Sequence, residues 1–249
     1  MDEGKSAIVR RFQTGVKGQV IDLSEYKGAH DGKEGHWLER RMGITPNRHN
    51  APDIFGYEMK KDAPRITFGD WSASEYLFSK RRVGKTVDIK LTRREFLEFF
   101  GVHNPEKGGR LSWSGKCFPK VGDYNEYGQK LVIDDATGDI TAMYSPVHDS
   151  RPTKPQMSEG AIAWWSGEAL RAKLVNKFGV KGFFMCKKEG STYQKICFGD
   201  PITFDFFIEK MKSGAIYIDS GMYDGNSRNY SQFRASRSLW DALVTEEYS

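Results

Sequence analysis

Cysteine is scarce in this chain: Cys117, Cys186 and Cys197 are the only three in 249 residues, widely spaced and without a CxxC pair. An odd count at such spacing indicates neither a disulfide framework nor a zinc site, and suits thiols kept reduced. Long apolar runs are also missing. None approaches the roughly 20 residues that cross a bilayer, and Met1-Asp2-Glu3-Gly4 does not begin a signal peptide, so a soluble, cytoplasmic chain is expected. The five histidines, His30, His36, His49, His103 and His148, form no HxH, HExxH or Cys/His grouping, a second argument against zinc. Gly28-Ala-His-Asp-Gly32 lacks the strand–GxGxxG–helix context of a dinucleotide site. Repeats and low-complexity tracts are absent. Excess charge is small, +5 with a pI near 8.9, which allows a polyanionic partner without demanding one.

What is present describes a folded α/β chain. Aromatics at 13% and hydrophobics at 38% supply a core that disordered sequences lack. Residues 34–44 read as a short helix with Leu38 and Met42 at i, i+4 and Gly43 as its stop. Arg65 to Phe68 reads as the hairpin partner of a strand at 57–60, Ser74 to Lys80 as a helical turn, and Val87 to Leu91 as a strand. Thr92-x-x-Glu95 is a capping box that opens a helix over 93–100. The stretch 101–129, with six glycines, reads as loop-rich and offers no clean domain boundary. Further on, hairpins are expected about Asp135-Ala-Thr-Gly138 and Glu189-Gly190. Helices follow Ser166 and Thr203, and strands are expected at 161–165 and 215–219. Residues 220–236 read as polar and irregular, and a last short helix as 239–244.

The chemistry concentrates at Asn50 to Asp62. Pro52-Asp53 is followed, after a turn-prone spacer with Gly56, by Tyr57-Glu58-Met59-Lys60. Alternation along a strand sends Tyr57 and Met59 into a core and projects Glu58 and Lys60 together. Asp53 lies across a bend that Gly56 accommodates. Two carboxylates and one ammonium then converge at a sheet edge. Metal-assisted phosphodiester hydrolysis needs this set: oxygen ligands for a hard cation such as Mg2+, and a lysine to orient or deprotonate water.

The acid–spacer–Glu-x-Lys pattern resembles the PD-(D/E)xK nucleases. Ahead of it, Gly35-His-Trp-Leu-Glu39 places a glutamate on a glycine-led helix, followed by Asp-x4-Glu-x-Lys. That order resembles the MvaI- and BcnI-type restriction endonucleases and, more distantly, the MutH mismatch-repair nickase, whose Asp-to-Glu spacer is longer. The likeness runs over most of residues 20–245 and is strongest at 35–60 and 190–236. It implies a restriction-endonuclease-like core with a central mixed β-sheet flanked by helices, bilobed, with a catalytic lobe over about 1–125 and a DNA-recognition lobe over about 126–249. It further implies Asp53 and Glu58 as Mg2+ ligands with the Met59 carbonyl as a third. Lys60 positions water, and Glu39 assists as an outer or second-metal carboxylate.

The same resemblance implies a type II restriction endonuclease acting on double-stranded DNA. Expected are a monomer that nicks each strand in turn at a short C/G-rich pseudo-palindrome, 5′-phosphate and 3′-hydroxyl ends, and a DNA methyltransferase in the same system. Arg228, Asn229, Tyr230, Ser231, Gln232 and Arg234 form a cluster of donors and acceptors suited to base edges. This stretch lacks the histidine and dense lysines of the relatives, so their base code does not carry over. His36, Arg81 and Arg82, with Lys85, Arg93 and Arg94, are candidates for the phosphate backbone. A repair nickase of the same chemistry and a non-catalytic DNA-binding module are the rival readings.

Overall fold

The computed structural model describes residues 2–26, 32–45 and 50–249; His30, His49 and residues 28–31 of the glycine-containing segment lie outside them. Among the described residues, six α-helices run α1 (Glu3–Gly15), α2 (Lys33–Arg41), α3 (Arg93–Phe100), α4 (Gly167–Phe178), α5 (Phe204–Lys212) and α6 (Arg237–Ala242). The strands of the first half are β1 (Glu58–Lys61), β2 (Arg65–Asp70), β3 (Glu75–Tyr76), β4 (Val102–Asn104), β5 (Arg110–Trp113), β6 (Tyr127–Ile133) and β7 (Ile140–Asp149). Those of the second half are β8 (Gly160–Trp165), β9 (Phe183–Glu189), β10 (Thr192–Gly199), β11 (Ile216–Ser220), β12 (Met222–Tyr223), β13 (Ser231–Ser236) and β14 (Val244–Tyr248). No described helix is long and apolar enough to cross a membrane.

Two compact units interleave along the chain, one from 1–66, 173–204 and 236–249, the other from 67–172 and 205–235. The division therefore does not fall at a single point near residue 125.

The first unit is built on a mixed sheet in the order β1-β9-β10-β14. β1 runs parallel to β9, whereas β9–β10 and β10–β14 are antiparallel. Helix α1, for which the sequence reading made no provision, starts at Asp2, whose carboxylate accepts the Lys5 N–H at 2.9 Å. That satisfies one of the orphan donors of a helix start. Its Ile8, Val9 and Phe12 are spaced to one face and buried. They pack with Trp37 and Leu38 of α2 and Met42 at its C-cap onto Tyr57, just before β1, and Met59, Phe184, Cys186, Ile196 and Phe198 of the sheet. Each such side chain contributes about 1.5–3 kcal/mol by leaving water. The other face of β1 carries Glu58 and Lys60.

In the second unit, β3-β8-β7-β6 is a sheet whose aromatic core includes Tyr76, Phe96, Trp113 and Trp165. Phe207 of α5 packs against Phe68, Trp71 and Phe233.

The hairpins at 127–149 and 183–199, the capping box at Thr92 and the helices over 167–178 and 204–212 match the sequence expectation. Four readings are corrected. β2 is not the hairpin partner of β1; it lies beside β13, because Pro64 interrupts the chain and β9 takes the place next to β1. Residues 75–76 form a strand rather than a helical turn, since Tyr76 and Leu77 are drawn into the aromatic core and Glu75 pairs with β8. Residues 87–91 form no strand; their amides bond irregularly, Val87 to the Ala161 carbonyl and Leu91 to that of Leu77. Residues 220–236 are not wholly irregular, because Ser231–Ser236 pairs in register with β11.

Candidate active site

Between Asp53 and Glu58 the chain makes a two-residue reversal. Ile54 and Tyr57 exchange backbone hydrogen bonds, at 3.1 and 2.8 Å, around Phe55 at φ 49° and Gly56 at φ 85°. Positive φ at both central residues is the mark of a type I′ turn. Phe55 adopts it at a steric cost that Gly56 escapes. The turn folds Asp53 back alongside β1, where its carboxylate accepts the Met59 N–H at 2.8 Å. Asn50 fastens the approach by donating to the Lys173 carbonyl of α4 at 2.6 Å. Pairing with β9 uses the backbone of Glu58, whose N–H bonds the Gly182 carbonyl. Strand geometry turns the neighbouring residue's N–H and C=O to the opposite side. The Met59 carbonyl therefore opens on the same edge as the Asp53 carboxylate.

On the sheet face, Glu58 Oε1 accepts Lys60 Nζ at 2.9 Å and Lys177 Nζ at 3.0 Å. Lys177 comes from the last turn of α4, and sequence reading missed it. A lysine near the end of an amphipathic helix looks like an ordinary solvated residue, and only the packing of α4 against β1 distinguishes it. Glu58 and Lys60 are almost fully enclosed, with 4% and 9% of their side chains exposed, while Lys177 keeps 21%. The Lys60 ammonium lies 5.1 Å from the Phe178 ring centre and 5.7 Å from that of Trp240, a cation–π setting that offsets part of its lost hydration.

This crowding shows in the ionisation of the site. Burial pulls the Lys60 ammonium below the ordinary lysine range; Glu58 and Asp53 oppose that, and Lys177 adds to it. Burial, then the adjacent Glu58 carboxylate, pushes Asp53 up to about 7, against the Met59 N–H and the two lysines. Glu58 Oε2 is buried without a hydrogen-bond partner among the described residues. A buried carboxylate oxygen left in that state is costly, and so is a pair of carboxylates forced together. Two hard carboxylate oxygens and a strand-edge carbonyl are a donor set for a divalent cation such as Mg2+.

Other candidates are placed differently. Glu39 is not gathered into this cluster: its carboxylate meets His36 Nδ1 at 3.1 Å, and no third acid, His or Cys groups with the pair among the described residues. The α2 acid that ties the helix to β1 is Glu34, 3.4 Å from Lys61 and 2.5 Å from both Lys188 and Tyr193.

In the second unit, Arg82 is spent on Glu75 and on Thr86, Val87 and Ile89 of its own loop, which leaves it a structural rather than a phosphate-facing side chain. Arg81 is exposed. Arg93 is likewise committed, holding Asn229 and Asn226 by their side chains at 2.9 and 3.0 Å and the Tyr223 carbonyl at 3.1 Å. The polar cluster over 228–234 thus sits on a pinned loop and a strand. Arg228, 68% exposed, stacks on Tyr230 and reaches Asp70 at 3.4 Å. Ser231 is buried and bonds Asp70 through its N–H, and Arg234 pairs with Asp219 at 2.9 Å.

Comparison with known proteins bears on the family and the fold. A family model described as LlaMI restriction endonuclease matches residues 15–248. Type II restriction enzyme ScrFI of Lactococcus lactis subsp. cremoris is 42% identical over 271 aligned residues, covering 99% of each chain. Among solved structures, the complex of restriction endonuclease MvaI with its cognate DNA substrate matches with a TM-score of 0.60 at 15% identity, over 98% of this chain and 95% of that one. At that identity the likeness speaks for the restriction-endonuclease-like fold.

Proposed function

Because this chain belongs to the LlaMI restriction endonuclease family and is a type II restriction endonuclease, we propose that Asp53, Glu58 and Lys60 carry its hydrolytic chemistry. The observation that supports this most is the meeting at β1 of the Asp53 carboxylate, on its edge, with the Glu58 carboxylate and a buried lysine on its face, Glu58 Oε2 having no hydrogen-bond partner among the described residues. Asp53, Glu58 and the Met59 carbonyl would hold Mg2+, which when bound supplies positive charge against the reacting phosphate oxygens.

The protein's own groups do the rest. Lys60, held by Glu58 and walled by Phe178 and Trp240, orients the attacking water and faces the charge that builds on the phosphate. Its weakened hold on the proton suits it to exchange one with that water. The type I′ turn fixes Asp53 against β1 before substrate arrives, so little reorganisation is required at the reacting centre. Glu39, held by His36, would assist from outside the ligand pair.

The substrate is double-stranded DNA, cut to 5′-phosphate and 3′-hydroxyl ends by a monomer that nicks each strand in turn at a short C/G-rich pseudo-palindrome. Arg228, Asn229, Tyr230 and Arg234 are the residues proposed to meet the DNA. Arg228 has the free surface to reach a guanine edge, and Ser231 supports it from the buried side. Arg81 and His36 are proposed backbone contacts. A methyltransferase of the same specificity would protect the host DNA.

The test is plasmid digestion with Mg2+, alongside Asp53→Ala and Lys60→Ala. Discrete fragments from the wild type, preceded by an open-circular intermediate and lost in both variants, support the proposal. Cutting that persists in either variant, or in excess chelator, refutes it.

A further inference from the structure

Glu58 carries more cation than one lysine of the motif would give it. Lys60 and Lys177 both reach the same oxygen, Oε1, while Oε2 has no hydrogen-bond partner among the described residues. With Asp53 and Glu58 ionised, the two lysines balance the two acids and the site is neutral. A divalent cation added to that arrangement leaves two surplus positive charges in a largely enclosed space, where like charges repel far more strongly than in water. One ammonium then has to withdraw.

The two lysines differ in their freedom to do so. Lys60 is 9% exposed and lies against two aromatic rings, whereas Lys177 is 21% exposed, lies in the last turn of α4 and has Glu58 as its ion-pair partner. The helix that carries Lys177 is tied to the strand approach of Asp53 through Asn50 and the Lys173 carbonyl, so its end stays close when the side chain swings away.

We propose that Lys177 is a built-in counter-ion of the metal-free site, which holds Glu58 in place and competes with the incoming divalent cation for it. This rests on the reading of Asp53 and Glu58 as metal ligands. Lys177 is in this sense a positioning residue. It keeps a buried carboxylate paired when no metal is bound, and it sets the cation concentration at which the site fills.

The test uses Mn2+ binding to the full chain without DNA, by titration calorimetry, together with thermal melting with and without Mn2+. Lys177→Ala and Lys177→Gln are expected to bind Mn2+ about tenfold more tightly than wild type, the effect of removing one competing charge of this kind. Their metal-free melting temperature falls, and the rise on adding Mn2+ exceeds that of wild type. Lys177→Arg, which keeps the charge, stays near wild type and carries the comparison with Lys177→Gln should Lys177→Ala fail to fold. Equal or weaker Mn2+ binding in the neutral variants, with binding lost in Asp53→Ala, overturns the role given to Lys177. Equal binding by wild type and Asp53→Ala overturns the ligand assignment beneath it.

Discussion

Asp53 accepts the backbone N–H of Met59 at 2.8 Å, and through that bond a residue outside the strand is locked to its edge. The four residues between Asp53 and Glu58 are just enough for one tight reversal. The spacing of the motif is therefore a geometric requirement of the site, and alteration of the turn should be felt at the chemistry.

Gly56→Ala tests that link. The new Cβ would sit in a backbone conformation at φ 85° and meet Val180 at 3.3 Å and Lys181 at 3.4 Å. A loss of about 1–2 kcal/mol is expected, with a fall in kcat beyond what reduced folding explains. Denaturant unfolding and single-turnover cleavage separate the two effects; unchanged kcat in a folded variant would show that the turn does not position Asp53.

Lys60→Met keeps the side-chain length and removes the charge. Cleavage should drop by about 10²–10⁴-fold while DNA affinity stays within a few-fold, since Lys60 is buried among Glu58, Phe178 and Trp240. Gel-shift binding in Ca2+ beside cleavage rates in Mg2+ provides the comparison. A parallel loss of binding would argue that Lys60 is a general anchor for DNA.

The raised pKa of Asp53, about 7, gives a pH dependence of known sign. The folded metal-free protein keeps this proton up to about pH 7, whereas an unfolded aspartate releases it near 3.9. Between those values the native state binds the extra proton, so this group's contribution to stability falls as pH rises from about 4 to about 7. Asp53→Asn removes that component, and melting curves across this window should be flatter for the variant. Identical pH profiles would refute the assignment.

Arg93→Ala should unpin the loop at 223–229, because four acceptors there depend on one guanidinium. A stability loss of about 2 kcal/mol is expected with weakened specific DNA binding, and Arg93→Lys should rescue little, since one ammonium cannot reproduce the fork. Full rescue by lysine would mean that charge, not loop geometry, matters at this position.

Legibility of the fold from sequence followed the range of the forces involved. Period-2 alternation at 57–60, the capping box at Thr92 and the turn chemistry at 135–138 and 189–190 act within a few residues, and all three appear in the structure. The partner of β1 is not legible locally because β9 lies more than a hundred residues away, and nothing local distinguishes a parallel neighbour from a hairpin. Arg82 and Arg93 looked like surface cations. Their partial burial depends on partners that the fold brings to them, Glu75 for Arg82 and the distant Asn226 and Asn229 for Arg93.

Sequence alone determined the chemistry available at this site: an acid, a four-residue reversal, and an acid and a lysine two apart on one strand, because backbone geometry compels those groups to face one another. Tertiary structure decided their surroundings. It placed Lys177 on Glu58, enclosed Lys60 between Phe178 and Trp240, and held Glu39 with His36. Burial and long-range charge are properties of the assembled core, and no stretch of chain carries them by itself.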